Sequence, residues 1–158
     1  MVNFLLPRTA DNTYRGHKLG LWIFAVVVLL KIGIALGSLF NGPNAAAQAD
    51  GIPLNTFGAT GARDFLSLDA GLSVTLLMMA VIAVIVLLRY RALVPLMFTI
   101  LLAEQLLRRL AYQVVPMIRV GTPPGIWINL VLVVLMVVGL ALSLAPVAPK
   151  GSSGRVTP

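Results

Sequence analysis

The chain has 158 residues, of which 59% are apolar and only 11% are charged. Soluble domains contain about 45–50% apolar and about 25% charged residues, so a soluble fold could not cover this much apolar surface. Twelve Lys and Arg against five Asp and Glu give a formal net charge of +7. Because most of these cations flank apolar segments, they indicate membrane topology and contact with anionic lipid headgroups, and they do not indicate nucleic acid binding.

Residue types that carry chemistry are scarce. Cysteine is absent, and His17 is the only histidine. This composition excludes disulfides, thiolate catalysis, Fe–S clusters, and haem or zinc sites built from paired histidines of one chain. We therefore expect no enzymatic activity, no metal and no cofactor, and we place His17 at the headgroup level.

The predicted elements begin with a cytoplasmic N-terminal segment at residues 1–18, before the first apolar segment. Four apolar segments follow, at residues 19–40, 70–88, 92–115 and 125–144. Each approaches the ~20 residues that a helix needs to cross a ~30 Å hydrocarbon core. The sequence therefore predicts an all-α transmembrane four-helix bundle over residues 19–145, followed by a disordered cytoplasmic tail at residues 146–158.

The connections between these segments differ in kind. The triplet Ala47-Gln48-Ala49 imitates a signal-peptidase site, but Lys31 interrupts the apolar segment before it, so we expect a retained span. Thr60 is a candidate N-cap for a helix that would continue through the second span for ~48 Å. The tight Arg89-Tyr90-Arg91 connection predicts an antiparallel hairpin of spans two and three.

Orientation follows from the basic residues. Seven lie on the side of the termini, and two to four lie on the opposite side, depending on where the third span ends. Since cytoplasmic loops carry the excess of Lys and Arg, both termini are expected in the cytoplasm.

Lys31 is the most informative residue, because a lysine near the bilayer centre costs about 2.5–3.5 kcal/mol on insertion scales. Glu104 is the expected partner. Each residue lies twelve positions after the cytoplasmic start of its span, Leu19 or Ala92, which places both at a depth of about 18 Å. Equal depth predicts an ion pair between the first and third helices, and Arg108 competes for the same carboxylate as an i,i+4 neighbour.

The third segment also carries a polar stripe. Five side chains fall within about 140° of one another on a helical projection: Glu104, Gln105, Arg108, Arg109 and Tyr112. Two interpretations stay open. The charges either form a structural pair or triad, or they line a hydrated cavity that binds an anion or a small solute.

The first segment contains Gly33 and Gly37, four residues apart, on a face away from Lys31. Small residues at this spacing let helices approach closely. The sequence therefore predicts a helix-packing face there, directed at another helix of this chain or at a partner.

Several short sequence segments resemble those of a group of uncharacterised small multi-pass membrane proteins of bacteria. They are Asp11-Asn12-Thr13-Tyr14, residues 49–54, Arg89-Tyr90-Arg91-Ala92 with Pro95, and residues 121–125. The resemblance covers roughly residues 8–145. It implies a prokaryotic cytoplasmic (inner) membrane and carries no activity.

Two functions follow as hypotheses. The first is an accessory or assembly subunit of a membrane complex, working with a membrane-protein partner or as a homo-oligomer. The second is a carrier or channel component that binds a small solute or anion around Lys31 and Glu104.

Overall fold

The structure, a computed structural model, describes Leu5 and residues 10–145 of the chain. Four long helices dominate it, and no strand occurs within that described part. They are α1 (Lys18–Phe40), α2 (Ala59–Arg89), α3 (Val94–Val114) and α4 (Pro124–Leu144). The all-helical expectation is thereby confirmed, whereas the predicted tail at 146–158 and most of residues 1–9 lie outside the described residues.

Three of the four helices are long and apolar enough to cross a membrane, namely α1, α2 and α4. The exception is α3, which has 21 residues but contains Glu104, Arg108 and Arg109. Its first ten residues are apolar except Thr99. The prediction of a membrane-type bundle therefore holds for three helices, and the fourth span stays a prediction.

The second helix is longer than the predicted span at 70–88. It has 31 residues, which corresponds to ~46 Å at 1.5 Å per residue and exceeds a ~30 Å hydrocarbon core. Its N-cap is Gly58, with no side-chain hydrogen bond, so the expectation that Thr60 caps it was wrong. Thr60 instead lies in the first turn, and the polar start of α2 extends beyond the apolar part.

The helices pack around α1, which contacts α2 on one side and α4 on the other. The short turn at Arg91–Leu93 joins α2 to α3, but these two helices contact each other only sparingly, and α3 packs mainly against α4. One core cluster connects all four helices. At its centre the fully buried rings of Phe24 and Phe98 meet edge to face, with 5.0 Å between ring centroids.

Close approach of α1 and α4 depends on small residues. A Cβ atom built on Gly20 would lie 3.3 Å from the Gly139 carbonyl oxygen and 3.2 Å from the Ser143 nitrogen. Gly16 likewise leaves no room, because its Cβ would lie 2.5 Å from the Ser143 carbonyl oxygen. Small residues four apart, Gly16 and Gly20, therefore let the start of α1 and the segment just before it touch the backbone of α4 at Gly139 and Ser143.

Tyr14 packs against this contact. Its hydroxyl is buried and has no hydrogen-bond partner among the described residues, and it would lie 2.6 Å from a Cβ atom on Gly20. Burial raises the pKa of Tyr14 to about 12, because desolvation disfavours the phenolate. The side chain therefore stays neutral and fills space beside the glycines.

Large apolar side chains cover the outer faces of α1, α2 and α4. Trp22, Phe40 and Trp127 are 70%, 82% and 64% exposed, and many leucines, valines and isoleucines are exposed between them. Contiguous apolar surface of this extent is unusual for a soluble monomer. It is the surface expected of helices that face lipid.

Residues 41–58 fold back over the connection between α3 and α4. The Val120 amide donates to the Gly51 carbonyl oxygen at 2.8 Å, and Gly51 has φ +69°, a backbone conformation that favours glycine. A Cβ on Gly125 would lie 2.6 Å from the Ala49 carbonyl oxygen and 3.0 Å from Asp50 Oδ1. The loop thus holds Asp50 over the N-terminal turn of α4.

Candidate functional site

The side chains that the sequence placed at equal depth in α1 and α3 are in contact. Lys31 Nζ donates to Glu104 Oε2 at 2.9 Å. The other carboxylate oxygen, Oε1, lies 2.9 Å from Arg108 Nη2. One carboxylate therefore bridges two cations, and the two alternatives for its partner occur together.

Gln105 connects this triad to α4. Its Oε1 accepts from Lys31 Nζ at 3.3 Å and from Arg108 Nη2 at 2.9 Å. Because the amide oxygen faces two cations, the amide nitrogen must face the other way, and it donates to Asn129 Oδ1 at 2.7 Å. Lys31 and Gln105 are each 7% exposed. The five residues Lys31, Glu104, Gln105, Arg108 and Asn129, here called the polar network, tie α1, α3 and α4 together.

A cavity of about 330 Å³ opens beside the polar network, between α3 and α4, at the end where residues 115–123 connect them. Its polar wall consists of Gln105, Arg108, Arg109, Tyr112, Gln113, Arg119 and Asn129. Its apolar wall consists of Pro116, Met117, Ile126 and Val133. We call this space the arginine cavity. Its volume lies at the lower end of the range for small-molecule sites.

Positive charge prevails around the arginine cavity. Arg108 shares Glu104 with Lys31, and Arg119 lies over the Tyr112 ring, 5.9 Å from its centroid. Within the part of the chain that the structure describes, no carboxylate lies within 4 Å of Arg109 or Arg119. The cavity therefore presents guanidinium groups that a charged ligand can reach.

Asp50 is a further carboxylate close enough to interact with the charges of the cavity. Burial raises its pKa, while the charges of Arg119 and Arg108 act in the opposite direction. The carboxylate thus lies in the field of two cavity arginines without a direct ion pair to either. Counting Lys31, Arg108, Arg109 and Arg119 against Glu104 and Asp50, the region carries an excess of two positive charges.

The predicted site residues fall into two groups. Lys31, Glu104, Gln105 and Arg108 join in the polar network, and Arg109 lines the arginine cavity. Gly33 and Gly37 are exposed, and a Cβ on either would meet nothing within 4 Å. They pack against no helix of the described chain, so any role in packing needs a partner.

Sequence reasoning missed two members of the site. No role is predicted for Asn129 from the sequence, although its Oδ1 accepts a hydrogen bond from the Gln105 amide nitrogen. Arg119 is one of the basic residues on the side opposite the termini, and the sequence predicts no site for it, although it lines the cavity. The sequence does contain a signal for Asn129: it is a polar residue one turn inside an otherwise apolar helix, and a polar group at that depth needs a hydrogen-bond partner.

Comparison with family models, with curated proteins and with solved structures gave no match to this chain. The candidate function therefore rests on the residues of the polar network and the arginine cavity alone.

Proposed function

We propose that the protein is a four-span integral membrane protein that binds a small organic anion in the arginine cavity. It works without catalytic activity of its own, as the binding component of a carrier or channel. The observation that supports this proposal most directly is the set of three arginines around a cavity of about 330 Å³ that also has an apolar wall. A prokaryotic cytoplasmic membrane is part of the proposal, supported by the distribution of Lys and Arg and by the resemblance of the short sequence segments.

The polar network supports a membrane-crossing α3. A lone charge at the bilayer centre is costly, but Glu104 contacts two cations, and Gln105 contacts Asn129. The polar groups of α3 face α1 and α4, whereas Leu107 and Leu110, 64% and 55% exposed, lie on its outer side. A helix with its charges turned inward in this way can cross a bilayer although its average composition is too polar.

The membrane topology of the chain tests whether α3 crosses the bilayer. With four spans, reporter fusions at Pro158 and within residues 44–58 should give opposite readouts, cytoplasmic for the first and exported for the second. Paired alkaline phosphatase and green fluorescent protein fusions at both sites measure this. Matching readouts would mean three crossings and would remove α3 from the bilayer.

The chemistry of the arginine cavity selects its ligand class. Guanidinium groups bind carboxylates and phosphates through parallel N–H donors. Four apolar side chains line the remaining wall, so a ligand with a small apolar body and one anionic group would fit both parts. In the proposed orientation the cavity opens to the outer side, and Lys31 contacts Gln105, which lines the cavity.

Benzoate is a suitable probe, and benzamide has nearly the same shape without the charge. We expect the purified protein to bind benzoate saturably and to prefer it to benzamide. Arg109→Gln and Arg119→Gln should each weaken benzoate binding about tenfold or more, because a hydrogen bond to a charged group contributes about 1.5–3 kcal/mol. Isothermal titration calorimetry in a neutral detergent, with empty micelles as the blank, measures both.

Arg63→Gln is the matched control, since Arg63 lies at the same end of the bundle on α2 and is exposed outside the cavity. Its benzoate affinity should equal that of the unmodified protein. Equal binding of benzamide, or an equal loss in the Arg63 variant, would contradict the proposed site.

The accessory-subunit hypothesis has one supporting observation, the exposed glycines of α1. Because a Cβ on Gly33 or Gly37 would meet open space, another helix could approach closely there. A stoichiometric partner in native-detergent purification, lost in the Gly33→Ile variant, would favour this second function.

A further inference from the structure

The opposite end of the bundle carries a second cavity with a different composition. It has a volume of about 890 Å³ and lies where the N-terminal turn of α1 meets the connection between α2 and α3. Asn12, Arg15, His17, Lys18 and Arg91 form its polar part, and Leu21 and Trp22 form the apolar part. We call it the basic groove. None of its residues belongs to the polar network or the arginine cavity.

Backbone hydrogen bonds assemble the basic groove from distant parts of the chain. The Ala92 amide donates to the Asp11 carbonyl oxygen at 3.2 Å, which brings the N-terminal segment beside Arg91. The His17 amide donates to the Leu142 carbonyl oxygen at 3.0 Å, which fixes the same segment to the end of α4. The cations therefore converge because the backbone holds them, and not through chance proximity of long side chains.

The individual side chains are available for a ligand. Arg91 Nε donates to the Leu87 carbonyl oxygen at 3.1 Å, which positions the guanidinium and leaves its terminal nitrogens outside that bond. Arg15 and Lys18 are exposed, and in the described residues no carboxylate lies within 4 Å of either. His17 Nδ1 accepts from the Leu19 amide, so its ring is held at the start of α1.

The basic groove has a charged part and an apolar part side by side, which matches the anionic headgroup and the apolar chains of a phospholipid. Three cations lie at the N-terminal end of α1, while Leu21 and the 70% exposed Trp22 begin its lipid-facing surface. Basic pockets at the cytoplasmic ends of spanning helices bind anionic headgroups, and a tryptophan at this level lies at the membrane interface. A free phosphate would use the cations but not the apolar wall.

From this arrangement we infer that the basic groove is a binding site for one anionic phospholipid, with its phosphate at Arg15, Lys18 and Arg91 and its glycerol end against Leu21 and Trp22. The inference rests on the membrane orientation of the proposed function but not on the arginine cavity. Failure of benzoate binding would leave it unaffected, and its own failure would leave the anion site unaffected.

Tryptophan fluorescence tests the inference in the full chain, since Trp22 and Trp127 lie at opposite ends of the bundle. The Trp127→Phe variant keeps only Trp22 and is reconstituted in phosphatidylcholine vesicles that contain a minor fraction of brominated lipid. We expect brominated phosphatidylglycerol to quench Trp22 more strongly than brominated phosphatidylcholine at the same fraction. The Trp22→Phe variant, which reports from Trp127, should show no such preference.

Substitutions separate the groove from general surface charge. Arg15→Gln, Lys18→Gln and Arg91→Gln should each reduce the preference for phosphatidylglycerol about fivefold, since a Lys or Arg near an anionic surface contributes ~1 kcal/mol. Arg89→Gln is the control, because Arg89 is exposed at the end of α2 and lies outside the groove. Circular dichroism verifies that each variant keeps its helices.

Three results would overturn the inference. Equal quenching of Trp22 by both brominated lipids would show that no selective site exists. An equal loss in Arg89→Gln would assign the preference to surface charge. A preference abolished by inorganic phosphate would mean that a free oxyanion, and not a lipid, occupies the groove.

Discussion

Glu104→Gln is expected to destabilise the protein by about 3–5 kcal/mol, the cost typical of breaking a buried ion pair by removing one partner. The loss is large because Glu104 is the shared anion: Lys31 Nζ and Arg108 Nη2 both lie 2.9 Å from its oxygens. Without its charge, the two cations have only neutral amide oxygens beside them, that of Gln105 and that of the substituted side chain. Thermal unfolding in a neutral detergent measures the effect.

Lys31→Met should be milder, because Glu104 keeps Arg108 as its partner and the flexible methionine side chain can fill the buried space of residue 31. The double variant should be more stable than Glu104→Gln alone, since one of the two unpaired cations is gone. The interaction energy from this double-mutant cycle isolates the coupling. Lys18→Met serves as the control, because Lys18 is exposed at the start of α1 and should change stability little.

Two outcomes would contradict the account. If the effects of Lys31→Met and Glu104→Gln simply add, the two side chains are not coupled in the folded protein. If Lys31→Met costs as much as Glu104→Gln, Arg108 does not act as the second partner of the carboxylate.

The contact between Lys31 and Glu104 could be predicted because it depends on only two quantities, the rise per residue and the cost of a lone charge. Each span gives its own depth scale, and the insertion cost requires an opposite charge at equal depth. The same argument could not predict that Asn129 belongs to the polar network. Its partner Gln105 is neutral, so no charge balance pointed to it, and its place depends on how α4 is rotated against α3.

The packing of α1 shows a different limit. Two glycines four apart inside an apolar segment, Gly33 and Gly37, predict a packing face, yet a Cβ on either would meet nothing within 4 Å. The close contact uses Gly16 and Gly20 against Gly139 and Ser143, at the end of the helix and partly before it. Spacing alone identifies where helices are able to approach, and only the arrangement of the other helices determines where they do.

Gly139→Val should be among the most destabilising substitutions in α4. A Cβ on Gly139 would overlap the Phe98 ring, with Cε1 at 2.7 Å, and would lie 3.0 Å from Ile23 Cγ2. Phe98 is fully buried and packs edge to face on Phe24, so the ring has no free space to move into. Overpacking typically costs about 1–3 kcal/mol and occasionally more, and thermal unfolding should show a loss in the upper part of that range.

Gly71→Ala is the control, because it should stabilise the protein in the same thermal unfolding assay. Gly71 is exposed in α2, and a Cβ there would meet nothing within 4 Å, so alanine should raise stability by up to about 1 kcal/mol through helix propensity.

Phe98→Leu combined with Gly139→Val should recover part of the stability that Gly139→Val loses, because a leucine leaves space where the ring stood. A stable Gly139→Val protein, or a double variant that is no better than the sum of its parts, would show that α1, α3 and α4 do not meet at Gly139.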